Sequence, residues 1–187
     1  TNMPNLKILD LNSNQLQSLG SGVFTELSNL IHIRLYSNQL KLLDSTAFNG
    51  LNSLEEIFLD NNYLEKIDCS FENMTKLNTL TLSSNRMRRI DNCTFADSYQ
   101  IKKLDLSDNP LDEYVERKVF DLFGTSMKYL AIKNTNADPA DFIKFSLFTN
   151  LINIDLSQSK FRILPETFEN ISNYLSILSI SQVNDLN

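Results

Sequence analysis

The 187-residue sequence predicts an α/β repeat solenoid, with a parallel β-sheet along a concave side and an irregular or short-helical convex side. Two observations carry that prediction. Blocks equivalent to LKILDLNSNQLQSLGSGVFTELSN begin at Leu6, Leu30, Leu54, Leu77, Ile101, Met127, Leu151 and Leu175, so residues 1–187 read as one array of about eight units. The chain is also unusually rich in Asn, with 23 residues, many of them at one fixed place in the block.

Each block opens on the pattern LxxLxLxxNxL. Apolar residues at its fourth and sixth positions alternate with polar ones, the period of a strand with one buried face. One such strand cannot cover its own apolar face, so the strands of successive blocks stack side by side over a column of Leu and Ile. The chain must then turn while still inside the molecule, leaving buried N–H and C=O groups in need of partners. An amide side chain supplies both donor and acceptor, which predicts a buried ladder of Asn14, Asn38, Asn62, Asn85 and Asn109. Thr135, Ser159 and Val183 continue that position with fewer polar atoms, so the later turns should be held less well. In the second half of the blocks, Phe24, Phe48, Phe71, Phe95, Phe145 and Phe168 form a second column that fills the convex side.

The fifth block is the longest, and Leu111, Tyr114, Val115, Val119, Leu122 and Phe123 fall at helical spacing within it. A short helix is predicted there. Asp138 followed by Pro139 reads as an N-cap with Pro at the first helical position, which predicts a second convex helix leading to Phe145 and Phe148. Residues 110–148 are thus the irregular centre, either a functional surface or drift in a tolerant convex loop. Met3 sits where a preceding block would end, and Leu175, Leu178 and Ile180 start an eighth strand. With no Cys-rich cap at either end, the array is expected to be a fragment of a longer protein.

Charge and composition narrow the function classes. There are 17 basic against 23 acidic side chains, a formal charge of −6 with no basic stripe, which argues against nucleic acid as a partner. Apolar runs are only a few residues long, so direct membrane insertion of this segment is not expected. A single His, His32, and the lack of a phosphate loop or metal-spacing motif argue against an enzyme, a metal site or a cofactor.

Repeats of 24 residues with Phe in their second half resemble the typical subfamily of animal extracellular leucine-rich repeats. Toll and Toll-like receptor ectodomains, secreted arthropod immune repeat proteins, small proteoglycans and lamprey variable receptors use it. The uneven blocks and irregular centre are most similar to the Toll-type and arthropod immune members. That resemblance implies a leucine-rich-repeat horseshoe segment of an extracellular receptor or secreted immune protein. Such a segment would bind a protein ligand or co-receptor through its concave or lateral face, with dimerisation possible in the full-length protein. A structural or adhesive matrix protein is the alternative.

Cys69 and Cys93 lie 24 residues apart, each two positions before a column Phe, and so side by side on adjacent turns. Turn spacing suits a disulfide, which would require an oxidising compartment; two partly buried thiols are the other possibility. Sequons at Asn73, Asn92 and Asn170 are about as many as chance gives in so Asn-rich a chain, but all three fall in the second half of a block, away from the strand face. Binding candidates are the non-core strand positions. His32, Arg34, Tyr36, Glu56, Phe58 and Asp60 combine aromatic and charged groups in adjacent rows, and Tyr129 with Lys133 forms a second group. These residue types anchor protein contacts, although an exposed strand face carries them for solvation alone as well. Glu56 and Asp60 could serve as an acid and base pair, but an open sheet offers no dry pocket to separate their pKa values.

Overall fold

Alternation within each block produces strands of only two or three residues, because the apolar fourth and sixth positions are followed at once by the turn. A computed structural model describes residues 3–112, 115–116, 118–160, 168 and 171–182. In chain order the strands are β1 (Ile8–Asp10), β2 (Ser18–Leu19), β3 (His32–Arg34), β4 (Leu42–Leu43), β5 (Glu56–Phe58), β6 (Thr79–Thr81), β7 (Lys103–Asp105), β8 (Tyr129–Ala131), β9 (Asn153–Asp155) and β10 (Ile177–Ser179). Eight of them form one parallel sheet in the order β1-β3-β5-β6-β7-β8-β9-β10, while β2 pairs with β4 beyond the turn. Register follows the blocks residue for residue: Leu9 faces Ile33, then Ile57, Leu80, Leu104, Leu130, Ile154 and Leu178. From Ile33 to Ile154 these side chains are buried in one continuous core. Leu9 and Leu178 are less covered because the outermost strands have a neighbour on one side only.

The turn after each strand is held by the Asn column. Asn62 donates from Nδ2 to Leu59 O and to Leu35 O of the preceding turn, both at 3.0 Å, and its Oδ1 accepts from Leu40 N at 3.0 Å. Asn38, Asn85 and Asn109 repeat that arrangement and are buried like it. Asn14 departs from the expectation. It is exposed and reaches only Leu11 O and Asn12 O of its own turn, because the bonds of this column run back to a preceding turn. Ser159 takes over further along, donating to Ile132 O at 2.7 Å and accepting from Thr135 N at a long 3.4 Å. Val183 lies outside the described residues.

A second backbone device was not evident from the pattern. The residue just before the Asn position has φ between 53° and 61° in every block: Ser13, Ser37, Asn61, Ser84, Asp108, Asn134, Gln158 and Gln182. This left-handed conformation turns the chain out of the strand and aims the next residue's side chain inward. It also explains the occupants, none of which is β-branched or apolar.

On the convex side Phe24, Phe48, Phe71 and Phe95 stack with ring centroids 5.7–6.2 Å apart. The fifth block continues the column through Phe123, which meets Phe95 edge-on at 5.6 Å; the sequence reading had no member of that block there. The helix expected over 111–123 is not formed among its described residues. Val115 instead makes a parallel bridge with Ile90, and only Asp121–Phe123 winds into a 3-10 turn. Its apolar spacing serves two separate contacts, the bridge and the Phe column. The second convex helix exists as a 3-10 turn, Pro139–Asp141, with Asp138 accepting from Ala140 N at 2.9 Å, and Phe145–Leu147 forms another. Cys69 and Cys93 are disulfide-bonded, with Cα atoms 5.0 Å apart, tying the third convex segment to the fourth.

Candidate functional site

Because the register is fixed at the core positions, the alternate residues of every strand project from the opposite face of the sheet. His32 therefore stands beside Glu56, and Arg34 beside Phe58. Six of the candidates, His32, Arg34, Tyr36, Glu56, Phe58 and Asp60, occupy these two adjacent rows and are half-buried. Tyr129 and Lys133 belong to β8 and its turn, separated from them by β6 and β7. The structure brings together the first group and leaves the second apart.

Within the first group, most charges are already engaged. Arg34 contacts Asp10 at 3.2 Å across to β1. His32 Nδ1 lies 2.8 Å from Glu56 Oε2, close enough for an ion pair once the imidazole is protonated, but without hydrogen-bond alignment. Asp60 is used as a bracket: Oδ1 accepts from Ser83 N at 2.9 Å and Ser83 Oγ at 2.7 Å, and Oδ2 accepts from the Thr81 hydroxyl. It thereby fixes the next row and is not the acid or base of a pair with Glu56. Tyr36 and Phe58 take part in none of these pairings, which leaves two aromatic side chains in a setting of mutually restrained polar ones.

Further along the same face, Asp105 has its carboxyl pushed above the ordinary carboxylate range, chiefly by burial, with the Asp60 charge adding and the hydrogen bonds from Ser107 opposing. Asp105 Oδ1 accepts from Ser107 N at 2.9 Å, as Asp155 does from Ser157 N at 3.0 Å. Sequence reasoning had not singled out Asp105, although its fifth position in the block was enough to place it on this face. Among the described residues no group of three or more His, Cys, Asp or Glu side chains could hold a metal ion. Of the sequons, Asn73 is exposed at a left-handed turn and Asn92 is exposed at the start of the 3-10 segment Asn92–Phe95; Asn170 lies outside the described residues.

A stack of parallel three-residue strands with an internal Asn column defines a class of recognition scaffold, and comparison with known proteins agrees. The chain matches the leucine rich repeat family over residues 4–64 and 68–111, and it belongs to that family. Among solved structures it is similar to a Leptospira interrogans leucine-rich-repeat protein, at 27% identity and TM-score 0.82, covering 97% of this chain and 45% of that one. It is similar to a chain of the TLR13-ssRNA13 complex at 25% identity and TM-score 0.77, covering 90% of this chain and 25% of that one. A chain of the Toll–Spätzle complex of Drosophila shares the fold at 23% identity and TM-score 0.75, covering 95% and 27%. This chain thus spans from a quarter to under half of those proteins. No curated protein matches its sequence. The expectation that nucleic acid is excluded gains no support here, since one of these structures is a complex with single-stranded RNA.

Proposed function

We propose that this chain is an extracellular recognition segment of an innate-immune Toll-type receptor or secreted immune repeat protein. It binds a protein ligand or co-receptor through the concave rows β3 and β5. The observation that carries this reading is the pair Tyr36 and Phe58, in adjacent blocks at β3's exit and within β5, whose polar neighbours are tied to one another. Aromatic side chains bury large area at small entropic loss, so a rigid sheet presenting two of them suits a partner's apolar anchor ringed by polar contacts. Likeness to Toll-type structures and a disulfide, which persists in oxidising compartments, support the extracellular immune setting.

The test is affinity. With a protein partner isolated by affinity capture, Tyr36→Ala and Phe58→Ala should each weaken binding by about 30-fold, the hot-spot scale of about 2 kcal/mol, with melting temperature unchanged. Unaltered affinity in both variants, or displacement of the partner by a single-stranded RNA oligomer, would overturn the reading.

A further inference from the structure

A cavity of about 620 Å³ crosses the entry ends of β7, β8, β9 and β10, on the edge of the sheet rather than its concave face. Its size is that of a ligand site. Tyr99 and Tyr174 line it with Leu122 and Ile152, and all but Ile152 are prominently exposed. Between these apolar groups stand Lys102 and Lys128, at the same position of successive blocks. In a chain carrying a formal charge of −6, among the described residues no carboxylate lines this cavity and neither lysine is ion-paired. Asp97, next to the rim, accepts the Tyr99 hydroxyl hydrogen bond and so steadies that ring. Ser126 Oγ and Asn150 Nδ2 are committed to the backbone oxygens of Ile101 and Thr125.

We infer that this edge groove is a second binding surface, which takes an extended acidic segment of a protein partner carrying an aromatic or large aliphatic side chain two residues to either side of a carboxylate, on the same face. Both the charge and the dimensions of the groove suit such a segment. Four strand ends about 4.8 Å apart span roughly 14 Å, the reach of about four extended residues. Two cations one block apart then meet a carboxylate of the segment, while the side chains two residues before and after it, which share its face, fill the space bounded by Leu122, Ile152 and the two tyrosines. A nucleic acid is the poorer fit, because two lysines neutralise only about two phosphates and the apolar walls would face a sugar-phosphate chain. The inference rests on the reading of the chain as a protein-recognition module, but on residues distinct from Tyr36 and Phe58.

Fluorescence anisotropy of a labelled pentapeptide with Glu at its third position, Phe at its first and fifth and Ser between them tests it, against the same peptide with Lys in place of Glu and against a ten-residue uridine oligomer. The acidic peptide should bind the 187-residue chain, more weakly as salt rises. Lys102→Glu combined with Lys128→Glu should weaken it at least about tenfold. Lys102→Gln with Lys128→Gln should give a smaller loss in the same direction, with melting temperatures unchanged in both. Tyr36→Ala should leave this binding intact, so failure here and failure of the concave reading are separable. Equal binding of the Lys peptide, tighter binding of the uridine oligomer, sensitivity to Tyr36→Ala instead of the lysines, or no binding at millimolar peptide would each overturn the proposal.

Discussion

The side chain of Asn62 makes bonds to two turns at once, and its neighbours in the column do the same, so deleting one leaves buried backbone groups of both turns unpaired. Asn62→Ala should destabilise by roughly 1–3 kcal/mol. Asn14→Ala, at the same position of the first block but exposed and bonded within its own turn, should lose much less; equal losses in chemical denaturation would refute the cross-turn account. The left-handed residue beside that column gives a second test. Ser37 has φ 55°, so Ser37→Gly should stabilise by about half a kcal/mol, the roughly 1–2 kcal/mol strain less the entropy glycine gives up, whereas Ser37→Val should destabilise. Melting temperatures moving in the same direction for both would contradict it. For Asp105 the sign follows from burial. Its native carboxyl holds a proton more tightly than the unfolded chain does, so stability falls as pH rises from about 4 through the raised native value and levels off above it. Asp105→Asn should therefore raise the melting temperature at pH 7 and give no gain near pH 3; a gain independent of pH would show that charge burial is not the cause. Of these residues only the Asn column was legible beforehand, because one residue type repeats there. The left-handed position was hidden by its mixed occupancy of Ser, Asn, Asp and Gln, which share a tolerance of positive φ rather than a chemistry.

Elements in this molecule are set by what the next block offers. Strands were readable because their alternation repeats eight times, and a misreading of one would break the register of all. The convex segments carry no such redundancy. Over 111–123, helical spacing was a sound local pattern, yet Val115 makes a parallel backbone bridge with Ile90, which takes an extended chain rather than a helical one, while Phe123 packs on Phe95. Close approach of the fifth and sixth convex segments is enforced at Gly124, where a Cβ would lie 2.7 Å from Leu147 O and 2.9 Å from Leu147 Cβ. Gly124→Ala should lower stability by roughly 1–3 kcal/mol through this overpacking, measured as a shifted denaturation midpoint. A neutral result would mean that the two segments are held less tightly than the approach of Leu147 to Gly124 indicates. The edge groove escaped the sequence reading for a related reason: its residues stand in the short approaches to four strands, and no column there repeats one chemistry except the two lysines.

Across the whole molecule, rigidity and variability are assigned to opposite faces of the same strands. Asn, Phe and Leu columns fix the backbone from one block to the next, so the concave side chains can differ row by row without altering the frame. The sequence identified those concave rows by position alone, but it had no means of showing which of their side chains are engaged with each other. That division, with Arg34, His32, Glu56 and Asp60 tied to neighbours and Tyr36 and Phe58 left over, comes from the pairings across strands. Hydroxyl-radical footprinting of the chain bound to its captured protein partner reads the outcome directly, since aromatic side chains report their own solvent access. Tyr36 and Phe58 should lose reactivity on binding while Tyr129, three strands from β5 on the same face, keeps it. Unchanged reactivity at Tyr36 and Phe58, with protection confined to the convex segments of residues 110–148, would contradict it.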